Sequence, residues 1–279
     1  MRTPAGLETL VDQGIIERVV RPLLSGKEAQ VYLVVSEGEH RVAKVYKDAE
    51  RRSFKNRVGY TEGRRTKNSR DQRAQAKGSK HGRSKEEDAW RSAEVETIQK
   101  LQAAGVRIPK PHAYLDGVLV MELVQDAAGE PAPRLGEVDM EPAAGRAIFH
   151  QLIGEVVKML CAGVVHGDLS DFNVLLGTDG PVIIDFPQAI DAAHSQNARA
   201  ILLRDVGNLN RFLLGFGGTP PPLRHGPEMW DLYARGELRP DTVLTGHHQP
   251  SETAVDVEAL LEVLAEDEVE ARARRFGRR

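Results

Sequence analysis

Apolar residues gather first in two short stretches, Gln30 to Val35 and Arg41 to Tyr46, both rich in Val and Tyr and separated by the polar Ser36-Glu37-Gly38-Glu39-His40. The pattern predicts two antiparallel strands joined by a hairpin loop, with an earlier strand over Glu17 to Leu24. From Glu86 to Ala104, Trp90, Ala93, Ile98 and Leu101 fall at roughly helical spacing, and Gly105 supplies a stop. Pro109 and Pro111 then lead to an apolar strand, Val118 to Val124, followed by an Ala/Pro/Gly-rich bridge from Ala127 to Gly136. Beyond it the pattern predicts a helix over Pro142 to Cys161, two short apolar stretches at Asn173 to Leu176 and Pro181 to Asp185, and helices over Arg199 to Leu214, Pro227 to Ala234 and Ala254 to Arg275. The last helix is acidic at its start and basic at its end, which suits the helix dipole. Strands first and helices later read as an α+β chain of two lobes, a β-rich one over 1–124 and a helical one over 125–279.

The length of 279 residues is enough to bury a real core. The single Cys161 excludes an intramolecular disulfide framework and any multi-Cys zinc site. The opening MRTPAGLETLVDQG has neither the basic flank nor the apolar core of a signal peptide, and no run of apolar residues approaches spanning length. The expectation is a cytoplasmic protein with no membrane association. Charge is distributed unevenly. Residues 51–85 hold 13 Lys/Arg against Glu62 and Asp71, a local +11 that leaves −14 for the remainder of a chain totalling −3. This segment carries four glycines and almost no aliphatic residues, so it reads as a long mobile loop within the first lobe.

The chemistry concentrates in His166-Gly167-Asp168-Leu169-Ser170-Asp171-Phe172-Asn173 and in Pro181-Val182-Ile183-Ile184-Asp185. An Asp, an Asn five residues on, and a second Asp after a short apolar strand form the arrangement of kinase-type phosphoryl transfer. In that arrangement Asp168 orients or deprotonates an attacking hydroxyl, and Asn173 and Asp185 offer hard oxygen ligands to magnesium. The competing structural account has Asp168 and Asn173 capping turns and Asp185 ending a strand in water; it leaves the agreement in order and spacing unexplained. Lys44, in Val42-Ala43-Lys44-Val45, occupies the strand position whose lysine contacts nucleotide phosphates and pairs with a helix Glu. Glu94 is the first choice of partner and Glu96 the second. Ser25-Gly26-Lys27-Glu28-Ala29 sits where a phosphate-covering loop belongs, yet with one Gly it is neither G-x-G-x-x-G nor a Walker loop.

That segment, together with His166-Gly167-Asp168-Leu169-Ser170 through Asn173, Ile184-Asp185-Phe186-Pro187-Gln188-Ala189 and Leu203-Arg204-Asp205-Val206-Gly207-Asn208, resembles the RIO family of atypical serine/threonine protein kinases. The resemblance covers about residues 15 to 215 and is nearest a bacterial type of the first RIO branch. It implies a trimmed two-lobed kinase fold that binds ATP and Mg²⁺, with Mn²⁺ as an alternative metal, and lacks the peptide-binding subdomains. Asp205 lies only 20 positions after Asp185, and no Ala-Pro-Glu triplet occurs, in keeping with that trimming. By the same resemblance Ser25, Gly26 and Lys27 cover the phosphates and Lys44 and Glu94 organise them. Met121-Glu122-Leu123-Val124 is then the hinge, where the backbone of Met121, Glu122 and Val124 meets adenine; an ordinary core methionine remains open for Met121. Asp168, Asp185 and Lys44 are the catalytic set, Asn173 and Asp185 the metal set, and Asp185 a candidate phosphate acceptor. His166 is expected to brace the catalytic loop rather than bind metal, and His247 and His248 receive no role.

The activity implied is that of a non-specific serine/threonine protein kinase that autophosphorylates on Ser and hydrolyses ATP, its protein substrate unknown. Two alternatives remain: an ATPase switch acting on RNA or a ribosomal particle, which uses the same residues, and a small-molecule kinase of aminoglycoside or choline type, which shares His166-Gly167-Asp168-Leu169 before an Asn but gives no reason for Ser25-Gly26-Lys27-Glu28-Ala29. The basic segment 51–85 is the expected contact for RNA or a ribosomal subunit, and its Ser53, Thr61, Thr66, Ser69, Ser79 and Ser84 are equally open to autophosphorylation.

Overall fold

The computed structural model describes residue 4 and residues 6–26, 29–46, 94–215 and 224–248. The basic segment 51–85, Lys27, and the helix read over Ala254 to Arg275 lie outside the described residues.

The N-terminal lobe is a five-stranded antiparallel sheet of order β1-β2-β3-β5-β4, built from β1 (Arg18–Ser25), β2 (Ala29–Ser36), β3 (Glu39–Tyr46), β4 (Pro111–Leu115) and β5 (Val118–Glu122). Two of its hairpins turn on two residues each. Glu37 and Gly38 have φ of 54° and 74°, and Asp116 and Gly117 have 48° and 74°. Two successive residues with positive φ form the two-residue turn whose twist matches that of the flanking strands. The expected loop over 36–40 therefore shrinks to two residues, and the approach after Pro111 becomes a strand of its own. Pro22 is tolerated because β1 is an edge strand, with register shifts on either side of it.

The period of two divides the sheet into faces with different neighbours. Tyr32, Val34, Ala43, Val118 and Val120 pack against Leu7, Leu10 and Ile16, contributed by a one-turn helix α1 (Glu8–Asp12) and the residues around it. On the opposite face, Tyr46 and Leu119 are buried and Met121 half-buried against Ile98 and Leu101 of helix α2, whose described part runs over 94–103. Lys44 belongs to this second face by alternation, which turns it toward α2 and the cleft.

The C-terminal lobe is organised by α3 (Pro142–Cys161), which has the bounds its periodicity predicts and a proline in its first turn. Phe149, Leu152, Ile153, Val156, Val157 and Leu160 form its buried stripe. The short pairs β6 (Val164–Val165) with β9 (Ile190–Asp191), and β7 (Val174–Gly177) with β8 (Gly180–Ile183), carry the loops of interest. Helices α4 (Ala198–Leu214) and α5 (His225–Ala234) close the core through Leu202, Val206, Leu209 and Met229. Together the sheet with its helix and the helical second lobe make a trimmed, two-lobed protein-kinase-like fold. No described helix is long and apolar enough to cross a membrane.

Candidate active site

Lys44 Nζ lies 2.9 Å from Glu94 Oε1 and 2.8 Å from Asp185 Oδ1, joining strand β3, helix α2 and the loop after β8. The structure selects Glu94 over Glu96: the Glu94 side chain is 2% exposed, whereas Glu96 faces solvent. Burial alone works against the Lys44 charge. The carboxylates of Asp185 and Glu94 outweigh it and push the ammonium pKa well above its usual value. Burial likewise opposes the Asp185 charge, but Lys44 holds its carboxyl below the ordinary aspartate range. Tyr46, two residues from Lys44 and so on the same face, places its ring 5.0 Å below the ammonium. This neighbour is legible in the strand alternation once Lys44 is singled out.

Asp168 and Asn173 meet on the adjacent loop. Asn173 Nδ2 donates to the Asp168 carbonyl at 2.7 Å and to Asp168 Oδ2 at 3.2 Å, which turns Asn173 Oδ1 the other way, as an acceptor for a cation. The β7–β8 hairpin brings the two metal candidates together, because Val174 pairs with Ile183 and Ile184 N–H donates to the Asn173 carbonyl at 3.0 Å. Asp185 itself has φ of 71°, a left-handed conformation that non-glycine residues adopt at a cost of about 1–2 kcal/mol. One carboxylate and one amide are hard oxygen donors, and they suit Mg²⁺, which takes few protein ligands and completes its shell with phosphates and water. The residues present therefore fit Mg²⁺ and a polyphosphate.

His166 braces this loop, as expected. Its Nδ1 accepts the Asp168 N–H at 3.3 Å, so its Nε2 carries the proton and donates to the Ile184 carbonyl at 3.0 Å. Burial lowers its pKa to about 4, and the imidazole is neutral. Helix α4 supplies a second brace that the sequence reading quoted only as part of a motif. Asp205 accepts from the Gly167 and Leu169 N–H groups, Asn208 donates to the Leu169 carbonyl at 2.7 Å, and Arg204 donates to the Gly167 carbonyl.

The remaining site candidates fall where the strands end. Ser25 closes β1, and Gly26 N–H donates to the Ala29 carbonyl at 3.0 Å, forming the turn into β2. Met121 and Glu122 end β5, two residues short of the expected strand end at Val124, which is buried. The Glu122 side chain is committed elsewhere: its carboxylate accepts two bonds from Arg107, at 3.2 and 3.1 Å, and one from the Lys110 N–H at 3.0 Å, while the Glu122 backbone N–H donates to the Lys110 carbonyl. Its carboxylate is thus a clasp at the end of β5.

A model of the RIO domain matches residues 30–221. The RIO-type serine/threonine-protein kinase Rio1 of Haloferax volcanii is 34% identical over 212 residues, covering 75% of this chain and 68% of that protein. Human serine/threonine-protein kinase RIO1 is 31% identical over 215 residues, covering 76% of this chain but 36% of the human protein, so the chain spans about a third of that relative's length. Among solved structures, the Rio2 kinase–ADP/Mg²⁺–phosphoaspartate complex of Chaetomium thermophilum superposes with a TM-score of 0.56 at 23% identity, over 95% of this chain and 75% of that one. With the match to the RIO domain running over residues that carry both Lys44 and Asp185, the chain belongs to the RIO family of atypical kinases.

Proposed function

We propose that this protein is an ATP- and Mg²⁺-dependent serine/threonine kinase of RIO type that transfers the γ-phosphate to a Ser hydroxyl, including its own, and also hydrolyses ATP. The observation that carries the reading is the junction of Lys44, Glu94 and Asp185 across the cleft, with the Asp168–Asn173 pair beside it. When bound, Mg²⁺ would be held by Asn173 Oδ1 and Asp185 and would neutralise charge on the phosphates. Two donors of the Lys44 ammonium go to Glu94 and Asp185, and the third is directed to phosphate oxygens. Asp168 receives the proton of the attacking hydroxyl, oriented by the Asn173 amide. The hinge backbone at Glu122 and Val124 takes adenine, and the sequence segment Ser25-Gly26-Lys27 covers the phosphates. The phosphoaspartate in the Chaetomium Rio2 complex supports a second acceptor. In that branch a carboxylate oxygen of Asp185 bonds the γ-phosphorus, the bond to the bridging oxygen of ADP breaks, and water later releases phosphate.

The test is transfer from γ-labelled ATP. Wild type is expected to label itself and to release phosphate, and Asp168→Asn and Asp185→Asn to lose at least about a hundredfold in rate while remaining folded. An Asp185→Asn protein turning over ATP as fast as wild type overturns the assignment.

The charge of +11 over residues 51–85 supports a second reading, in which the same cleft serves as a cytoplasmic ATPase switch on RNA or a ribosomal subunit. Single-turnover hydrolysis with and without small ribosomal subunits, at two salt concentrations, separates the two. Stimulation by subunits, lost at high salt and without labelled protein, favours the switch.

A further inference from the structure

Arg134 follows the hinge in the Ala/Pro-rich bridge, and its backbone forms an antiparallel bridge with Leu175 of β7, while the neighbouring Pro133 carbonyl accepts the Leu176 N–H at 2.9 Å. Leu175 lies two residues beyond Asn173, and β7 pairs with β8, which leads into Asp185. Three adjacent extended segments therefore deliver Arg134, Asn173 and Asp185 to one side of the cleft. The guanidinium is near enough to Asp185 to contribute, after Lys44, to holding that carboxyl low.

Arg134 is one of two half-buried arginines, with Arg199, for which no ion pair is formed among the described residues, and it is the one whose backbone runs beside β7. Arg107 is held by Glu122, Arg204 by Gly167 and Asp205, and Arg41 by Glu37 and Ser36. Among the described residues no carboxylate pairs with Arg134, although it is half-buried. A half-buried cation pays desolvation that a counter-charge ordinarily offsets. No ion pair joins Arg134 to Asp185, whose Oδ1 is held by Lys44 at 2.8 Å. A planar fork of donors at this end of the cleft matches phosphate oxygens.

We infer that Arg134 is a phosphate-contacting residue of this cleft, its guanidinium binding the terminal phosphate oxygens of the nucleotide from the C-terminal lobe while Lys44 approaches from the N-terminal sheet. The inference rests on the reading of the cleft as an ATP site. It adds a second cation to that site and assigns Arg134 to discrimination between nucleoside tri-, di- and unphosphorylated forms.

Calorimetric titration of the full chain with ATP, ADP and adenosine, in Mg²⁺, tests it on wild type, Arg134→Gln and Arg134→Lys. Arg134→Gln is expected to weaken ATP about ten- to a hundredfold, ADP less, and adenosine not at all, with Arg134→Lys intermediate. A packing role would weaken all three ligands alike. Unchanged ATP affinity in Arg134→Gln, or an equal loss for adenosine, overturns the inference while leaving the ATP site intact. Wild type that binds no ATP overturns the site itself. Arg134→Lys, which keeps the charge and most of the volume, supplies the comparison if Arg134→Gln does not fold: ATP affinity equal to wild type together with unaltered ATP-to-ADP preference then counts against a forked contact.

Discussion

The carboxylate of Asp205 accepts the backbone N–H of Gly167 at 2.8 Å, from 38 residues farther along the chain. With Leu169 N–H on its other oxygen, and with Arg204 and Asn208 on the carbonyls of Gly167 and Leu169, one turn of α4 holds the backbone on both sides of Asp168. Asp205→Ala leaves two N–H groups without an acceptor. The expected loss is about 2–4 kcal/mol in denaturant unfolding, with a fall in phosphate transfer of more than tenfold measured well below the melting temperature.

Asp205 also carries a pH signature. Burial pushes its carboxyl up to about 7, against the opposing pull of Arg204 and the two N–H groups. Between about pH 4 and 7 the folded chain keeps a proton that the unfolded chain has released. Asp205 therefore reduces stability as pH rises through that window, and the effect is constant above it. Asp205→Asn cannot titrate, so the difference in unfolding free energy between wild type and this variant should shift in the variant's favour from pH 4 to 7. A difference that is flat with pH would show that the carboxyl ionises normally.

His166 should give the opposite slope. Its ring is buried against Phe186, with centroids 5.0 Å apart, and its pKa is lowered to about 4. Between roughly pH 6.5 and 4 the unfolded chain takes up a proton that the folded chain refuses, so stability present at pH 7 is lost on acidification. The shift corresponds to about 3 kcal/mol. His166→Gln removes this dependence: its melting temperature should fall less than that of wild type between pH 7 and 5, although it starts lower because one amide cannot reproduce both ring bonds.

Much of the site was legible in the sequence because its parts obey local rules. Asp168 and Asn173 are five apart on one loop, Asp185 follows a short apolar strand, and Lys44 sits mid-strand, so order and spacing together make them candidates. Glu94 needed only a helix in register with that strand. The bracing by Arg204, Asp205 and Asn208 was visible as a motif but not as a function, since nothing local indicates that α4 returns beneath the catalytic loop. Arg134 was invisible for the same reason: its meaning depends on an isolated bridge to Leu175, inside a segment that reads as a linker. Strand β4 was missed because Pro111 at its start argues against a strand, and α1 because five residues are too few for a period to show.

The Lys44–Glu94 pair permits a separation of stability from chemistry. Lys44 and Glu94 side chains are 12% and 2% exposed, so removing the ammonium strands a buried carboxylate. Lys44→Met is expected to cost about 3 kcal/mol, and adding Glu94→Gln to recover much of that, because the second change removes the uncompensated charge. Phosphate transfer should stay at least about a hundredfold down in both proteins, since neither presents a cation to the phosphates. Recovery of activity along with stability in the double variant would reduce the pair to a structural role.

Gly167 has φ of 84°, and a Cβ built on it would lie 2.1 Å from the Gln188 carbonyl oxygen. The two residues belong to the loops that carry Asp168 and Asp185, so their close approach sets the spacing of those carboxylates. Gly105 is a natural control: its φ is 71°, but an added Cβ meets nothing within 4 Å. Gly105→Ala should bear only the conformational cost, about 1 kcal/mol, and transfer phosphate at the wild-type rate. Gly167→Ala must also move a backbone carbonyl, because no side-chain rotation relieves the overlap. Its expected loss is at least about 3 kcal/mol, with turnover per folded molecule down more than tenfold. Equal stability losses in the two variants, with turnover preserved in both, would mean that the Asp185 loop shifts freely and that the contact with Gln188 does not set the catalytic spacing.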